Sequence, residues 1–154
     1  GPPGEPGPPG RDGLPLVRMT QRGGSTTVTS PQVVAVIGDS GSYSGAYSGP
    51  LRIPAFDSTK TYFAVIVNAR VDFSAGGSAA TCSIQSSYND GQSYMVSGEF
   101  GATAVGAHFV GSTSVALPVF TPNTVMRFRL VCSSSATATL TEATMGVVAG
   151  PVDG

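Results

Sequence analysis

The residues of this chain that come nearest to a catalytic arrangement are Gly38-Asp39-Ser40-Gly41-Ser42, which follow directly on the apolar run Val33 to Ile37. A serine in a tight turn after a buried strand is placed to act as a nucleophile, provided a general base, normally histidine, takes its proton. The chain has a single histidine, His108, far downstream. One imidazole cannot make a metal site alone. The nine acidic residues (Glu5, Asp12, Asp39, Asp57, Asp72, Asp90, Glu99, Glu142 and Asp153) are spread along the sequence rather than grouped at ligand spacing. The reading is therefore no catalytic set, no resident metal and no cofactor, with Asp39 and Ser40 capping the amides of a turn.

The Gly-Asp-Ser block resembles the one that opens esterases of the Gly-Asp-Ser-Leu type, and also the nucleophile block of chymotrypsin-like proteases. Its surroundings depart from both patterns. The protease order needs histidine before serine, and here His108 comes after Ser40. The esterase pattern needs an aspartate three residues before its histidine, where this chain has Val105. The alternation of helices and parallel strands used by such esterases is also missing. The chain reads as non-enzymatic.

Residues suited to binding are easier to find. Arg127 and Arg129 share the polar side of one strand, with Arg70 and Asp72 expected beside them on another. They could form a binding surface or an ion-pair set between subunits, or simply a solvated stripe. Tyr43, Tyr47 and Tyr88 stand in Gly/Ser-rich loops, where exposed aromatics suit stacking on sugars or on a protein partner. Loop tyrosines also pack on their own domain. Cys82 and Cys132, the only two cysteines, fall in separate strand-like runs. They would make one disulfide, as suits an extracellular particle, or two buried thiols.

Eight basic and nine acidic residues give a net charge of −1, with no basic stripe to follow a phosphate backbone, so nucleic acid is not an expected partner. No apolar run approaches the roughly 20 residues of a membrane-spanning helix. The sequence opens on Gly1 rather than Met and reads as part of something longer.

Among the elements that must position these residues, the first is glycine at every third position: Gly1, Gly4, Gly7, Gly10 and Gly13, with Pro-rich pairs between. Only glycine fits at the crowded axis of three wound polyproline-type chains, so residues 1–15 read as the end of a collagen-like triple helix. Leu16 breaks the period. Residues 16–30 read as a neck in which Leu16, Val17 and Met19 pack around the three-fold axis.

Residues 31–154 read as β throughout. The strongest strand is Thr61 to Phe73, whose odd positions Phe63, Val65, Val67, Ala69, Val71 and Phe73 are all apolar. Its even positions begin apolar (Tyr62, Ala64, Ile66) and end polar (Asn68, Arg70, Asp72), so its first half should be covered on both faces. Thr81 to Tyr88, the turn Asn89-Asp90-Gly91 and Gln92 to Val96 read as a hairpin. Ser114 to Phe120, Thr124 to Cys132 and Thr137 to Val148 follow as strands, and Leu51 to Phe56 is at best an edge strand because of Pro50 and Pro54. The fold class is all-β: a short triple-helical segment followed by an antiparallel β-sandwich or jelly-roll head, homotrimeric.

Trimerisation is expected on two further grounds. Four or five triplets make too short a triple helix to hold alone, so a trimeric head should align the three chains. Charged residues are only 11% of the chain, and burial between subunits would relieve so weakly charged a surface. The Phe63/Val65/Ile66 region and the final strand are the expected interface. A three-fold axis could also triple any one ligand, which leaves an axial ion open.

A Gly-X-Y stalk (Gly1 to Gly13) followed by a Thr/Ala/Val-rich β domain (Tyr62 to Phe73, Thr81 to Ile84, Leu130 to Ser135 and the closing Ala/Thr strand) resembles collagen-stalked virion proteins of tailed bacteriophages. It is especially similar to tail-fibre or minor tail proteins of phages that infect actinobacteria. The architecture is similar, less closely, to complement and tumour-necrosis-factor-like heads on collagen stalks, whose Gly-x-Tyr-x-Phe pattern this chain lacks. Bacterial collagen-like surface proteins are a third likeness. The phage resemblance implies a trimeric virion appendage on the tail or capsid surface. Its expected partners are its own copies, other virion proteins and a host-surface glycan or protein, and it carries no catalytic residues over.

Overall fold

The computed structural model describes residues 1–4, 16–38, 48–57, 59, 61–74, 79–103, 108–134 and 137–153. Among these residues nine strands run in the order β1 (Leu16–Val28), β2 (Gln32–Ile37), β3 (Leu51–Arg52), β4 (Thr61–Ser74), β5 (Ala79–Ser87), β6 (Met95–Thr103), β7 (His108–Val119), β8 (Val125–Ser134) and β9 (Ala138–Asp153). No helix occurs among the described residues, so none there is long and apolar enough to cross a membrane.

Period-two alternation sets the layers. In β4 the side chains of Phe63, Val65, Val67, Ala69, Val71 and Phe73 are buried, and in β8 those of Met126, Phe128, Leu130 and Cys132 are. Each row covers one inner face of a sandwich. One sheet has the order β1-β9-β4-β7. The other has β2-β8-β5-β6, with β3 pairing β8 beside β2. Every strand pair is antiparallel. This interleaved order, in which the chain crosses repeatedly between sheets, is that of a jelly-roll β-sandwich.

The sheets approach closely at Gly98 of β6, where an added Cβ would collide with Val115 of β7. Glycine is required there by packing. Cys82 and Cys132 lie directly opposite each other on β5 and β8, with Cα atoms 4.1 Å apart, and are joined by a disulfide inside the core.

Several expectations need correction. The stretch 16–30 is not a free neck. Most of it is β1, hydrogen-bonded to β9 from Leu16↔Ala149 to Val28↔Ala138 with one irregularity at Gly23/Thr26. Strand pairing hid behind Arg18, Arg22 and Gly23-Gly24, which break any apolar alternation. Leu16 turns inward against the core, while Val17 and Met19 turn out. Phe63 and Val65 are buried in the sandwich and unavailable to another subunit, whereas Ile66, on the opposite side of β4, is exposed. The expected hairpin return of Gln92 to Val96 begins only at Met95, after a longer connection.

The two halves of β4 also differ from expectation. Among the described residues the outward side of its first half is only partly covered: Ile66 is 43% exposed, and Tyr62 and Ala64 are half-buried.

Candidate functional site

The residues singled out for binding do not converge. Arg127 and Arg129 project from β8 on the outer face of the β2-β8-β5-β6 sheet, whereas Arg70 and Asp72 project from β4 on the outer face of the other sheet. The expected single polar stripe is therefore two, separated by the thickness of the sandwich.

On the first face both arginines are held within the chain. Arg127 Nε donates to Asp90 Oδ1 at 2.8 Å, and its guanidinium also donates to the Gly38 carbonyl. Arg129 Nε donates to Gln85 Oε1 at 2.6 Å, its register partner on β5, and its guanidinium lies 3.9 Å over the ring of Tyr94. The connection from β5 to β6 is fixed by short polar residues. Ser87 Oγ accepts from the Gly91 amide at 2.8 Å, Asn89 Oδ1 accepts from the Ser93 amide at 2.9 Å, and the Asp90 amide donates to Val125 O at 3.2 Å. Asp90 and Gly91 adopt left-handed φ values of 60° and 86°, which the Asn-Asp-Gly sequence tolerates.

Gly38 closes the same corner. Its φ of 135° and its contact with Arg127, whose Cγ would stand 2.7 Å from an added Cβ, leave room only for glycine. Tyr88 is half-buried against the core, and that burial pushes its phenol above the ordinary value of 10.0.

Asp39, Ser40, Tyr43 and Tyr47 lie outside the described residues, as do Gly7, Gly10 and Gly13. The candidate nucleophile block thus enters the structure only through Gly38. His108 opens β7 opposite Ser74. Among the described residues no group of three His, Cys, Asp or Glu side chains could hold a metal ion.

The second outer face has a different character. Toward the start of β4 its rows are apolar. Toward the end they are polar, and an open groove of about 670 Å3 crosses the sheet there, over Gly146, with Gln21, Asn68, Arg70, Ser114 and Thr144 around it. Asp72 Oδ1 is buried without a hydrogen-bond partner among the described residues, and beside it Glu142 accepts from Gln21 Nε2 at 3.1 Å.

Sequence reasoning missed the partners Gln85, Asp90 and Tyr94. The Asn89-Asp90-Gly91 turn was the available signal for Asp90. Gln85 and Tyr94 are placed by strand register, which one sequence does not display.

No protein-family model matches the chain, and no curated protein sequence does. Among solved structures the chain is similar to Eiger TNF from S. frugiperda, at 10% identity and a TM-score of 0.44, over 86% of this chain and 92% of that one. It is also similar to a chain of Broad Bean Stain Virus (14% identity, TM-score 0.41, 96% of each chain). A third similarity is to a chain of the empty virus-like particle of Cowpea Mosaic Virus (10% identity, TM-score 0.40, 99% of this chain and 89% of that one). The jelly-roll assignment rests on this chain's own strand order.

Proposed function

We propose that this protein is a non-enzymatic, homotrimeric display module: the end of a collagen-like stalk (1–15) carrying three jelly-roll heads. The reading places it on a virion surface, as a fibre tip that meets a host-surface glycan or protein. The observation that carries it is the glycine period Gly1, Gly4, Gly7, Gly10 and Gly13, followed within three residues by the first strand of a sandwich. Among the described residues, a Cβ added at Gly1 or Gly4 would meet no atom within 4 Å. A triple helix asks for glycine at every third residue. Three heads on one stalk bind jointly, so weak individual sites gain from avidity. The buried disulfide suits an oxidising, extracellular setting.

A second reading, surface decoration without receptor binding, is favoured by one feature: Arg127 and Arg129, two of the candidate contact residues, are engaged by Asp90, Gly38, Gln85 and Tyr94 of the same chain. Sedimentation of the full chain tests the common part, with three times the 15.5 kDa chain mass expected. Glycan-array and whole-cell binding of the trimer then separates the two readings. Binding supports the adhesin, and its absence favours decoration.

A further inference from the structure

Nine large apolar side chains are exposed among the described residues, and seven of them (Val17, Met19, Ile66, Val110, Phe120, Val148 and Val152) belong to one side of the molecule. Six of these seven, all but Val110, gather at the end where β1 begins. The register shows why. Val17, Val148, Ile66 and Ala116 form one row across all four strands of the β1-β9-β4-β7 sheet. Gly150, Ala64 and Pro118 form the next, and Val152, Tyr62 and Phe120 the one beyond, where Tyr62 and Phe120 meet edge to face at 4.6 Å. At a strand spacing of about 4.8 Å and a row spacing of about 6.8 Å, these rows cover roughly 15 by 20 Å without a charge. A patch of that order matches the largest that a typical monomer shows, and such patches are often functional.

Strand β1 sharpens the point because its amphipathicity is inverted from Val17 to Arg22, although Leu16 and Val28 at its two ends face the core. Arg18, Thr20 and Arg22 lie on its sandwich side, paired in register with the buried Val147, Met145 and Ala143. Thr20 Oγ1 is buried there without a hydrogen-bond partner among the described residues. Met19 faces outward and is 58% exposed. A strand whose outer face met only water would gain by the opposite arrangement.

We infer that this stalk-proximal apolar face is the surface through which three copies of the chain pack, with Val17 and Met19 nearest the common axis. The inference rests on the trimeric reading above and adds the face and its residues. The occupant follows from chain connectivity. Three chains of a triple helix share one axis, and the last glycine of the period, Gly13, stands only three residues before Leu16, the first residue of β1. The first outward residues of the three β1 strands are therefore held close together, beside the apolar rows. The groove over Gly146 begins in the next row and borders the interface on its polar side.

The test uses the full chain. Analytical ultracentrifugation is run on the wild type, Ile66→Glu, Val148→Glu and the control Val96→Glu, which alters an exposed residue of the opposite sheet. The wild type and Val96→Glu should sediment as trimers, and Ile66→Glu and Val148→Glu as monomers at the same concentration. Because a charged variant can misfold, Met19→Cys and Met95→Cys are also treated with a short bis-maleimide. Met19→Cys should cross-link between chains and Met95→Cys should not. A trimeric wild type whose Ile66→Glu and Val148→Glu variants stay trimeric, or whose Met19→Cys fails to cross-link, overturns this face while leaving the trimer standing. A monomeric wild type overturns the trimeric reading itself.

Discussion

The outer faces of the two sheets are finished in different ways. On the β2-β8-β5-β6 sheet the long polar side chains are bonded within the chain: Arg127 to Asp90 and the Gly38 carbonyl, Arg129 to Gln85 and the Tyr94 ring. On the β1-β9-β4-β7 sheet the end where β1 begins shows Val17, Ile66, Val148 and Val152 to the outside, exposed among the described residues. The first face is complete in one copy. On the trimeric reading proposed above, the second is covered by further copies, which would divide folding and assembly between the two sides of the sandwich.

That division can be broken from either side. The largest effect on the fold should come from replacing both Cys82 and Cys132 with alanine. The disulfide closes a separation of 50 residues, for which chain entropy gives a loss of about 4 kcal/mol. Chemical denaturation of the variant should show it, with the oligomeric mass unchanged because the bridge lies between β5 and β8. Gly38→Ala comes next. The strained φ and the collision with Arg127 should cost about 1–3 kcal/mol and release the arginine from its corner, again without dissociating subunits. Arg129→Ala should cost about 0.5–1 kcal/mol through the lost ring contact. The mild Ile66→Ser on the other face should leave monomer stability within about 0.5 kcal/mol while weakening the assembly. Denaturation midpoints measured at several protein concentrations separate the two behaviours, since only an assembly defect depends on concentration.

The smallest effect is set by pH. Burial raises the Tyr88 phenol in the folded chain above its ordinary value of 10.0. The folded state then holds a proton that the unfolded state releases, so this contribution is constant below pH 10.0 and falls as pH rises past it. Tyr88→Phe should flatten that alkaline decline, as read from stability measured between neutral and strongly alkaline pH.

The strands whose alternation faces a core were legible in the sequence. Phe63 to Phe73 and Met126 to Cys132 declare their buried sides because each has a clean apolar row. β1 was not legible, and the reason is physical: between Leu16 and Val28, which face the core, Val17 and Met19 are on the outside and Arg18 and Arg22 on the sandwich side, the reverse of what periodicity assumes. The two-sided apolar character of Tyr62, Ala64 and Ile66 was visible as a need for cover, but one sequence does not say whether the cover belongs to the same chain. The contacts of Arg127 and Arg129 stayed hidden because Asp90, Gln85 and Tyr94 are brought to them by register and by a turn.

Strands β1 and β9 run antiparallel, with Leu16 opposite Ala149, so the chain enters this sandwich and leaves it at the same end. Among the described residues the far end holds the strand ends Val28 and Gln32, Ser74 and Ala79, Thr103 and His108, and Ser134 and Ala138. Insertions between those ends would add residues at the end of the sandwich opposite Leu16 and the apolar rows. New sequences can be grafted there while the residues at which the chain enters and leaves the sandwich stay the same. A protein fused after Asp153 would instead emerge next to Thr61, at the end of the sandwich where β1 begins.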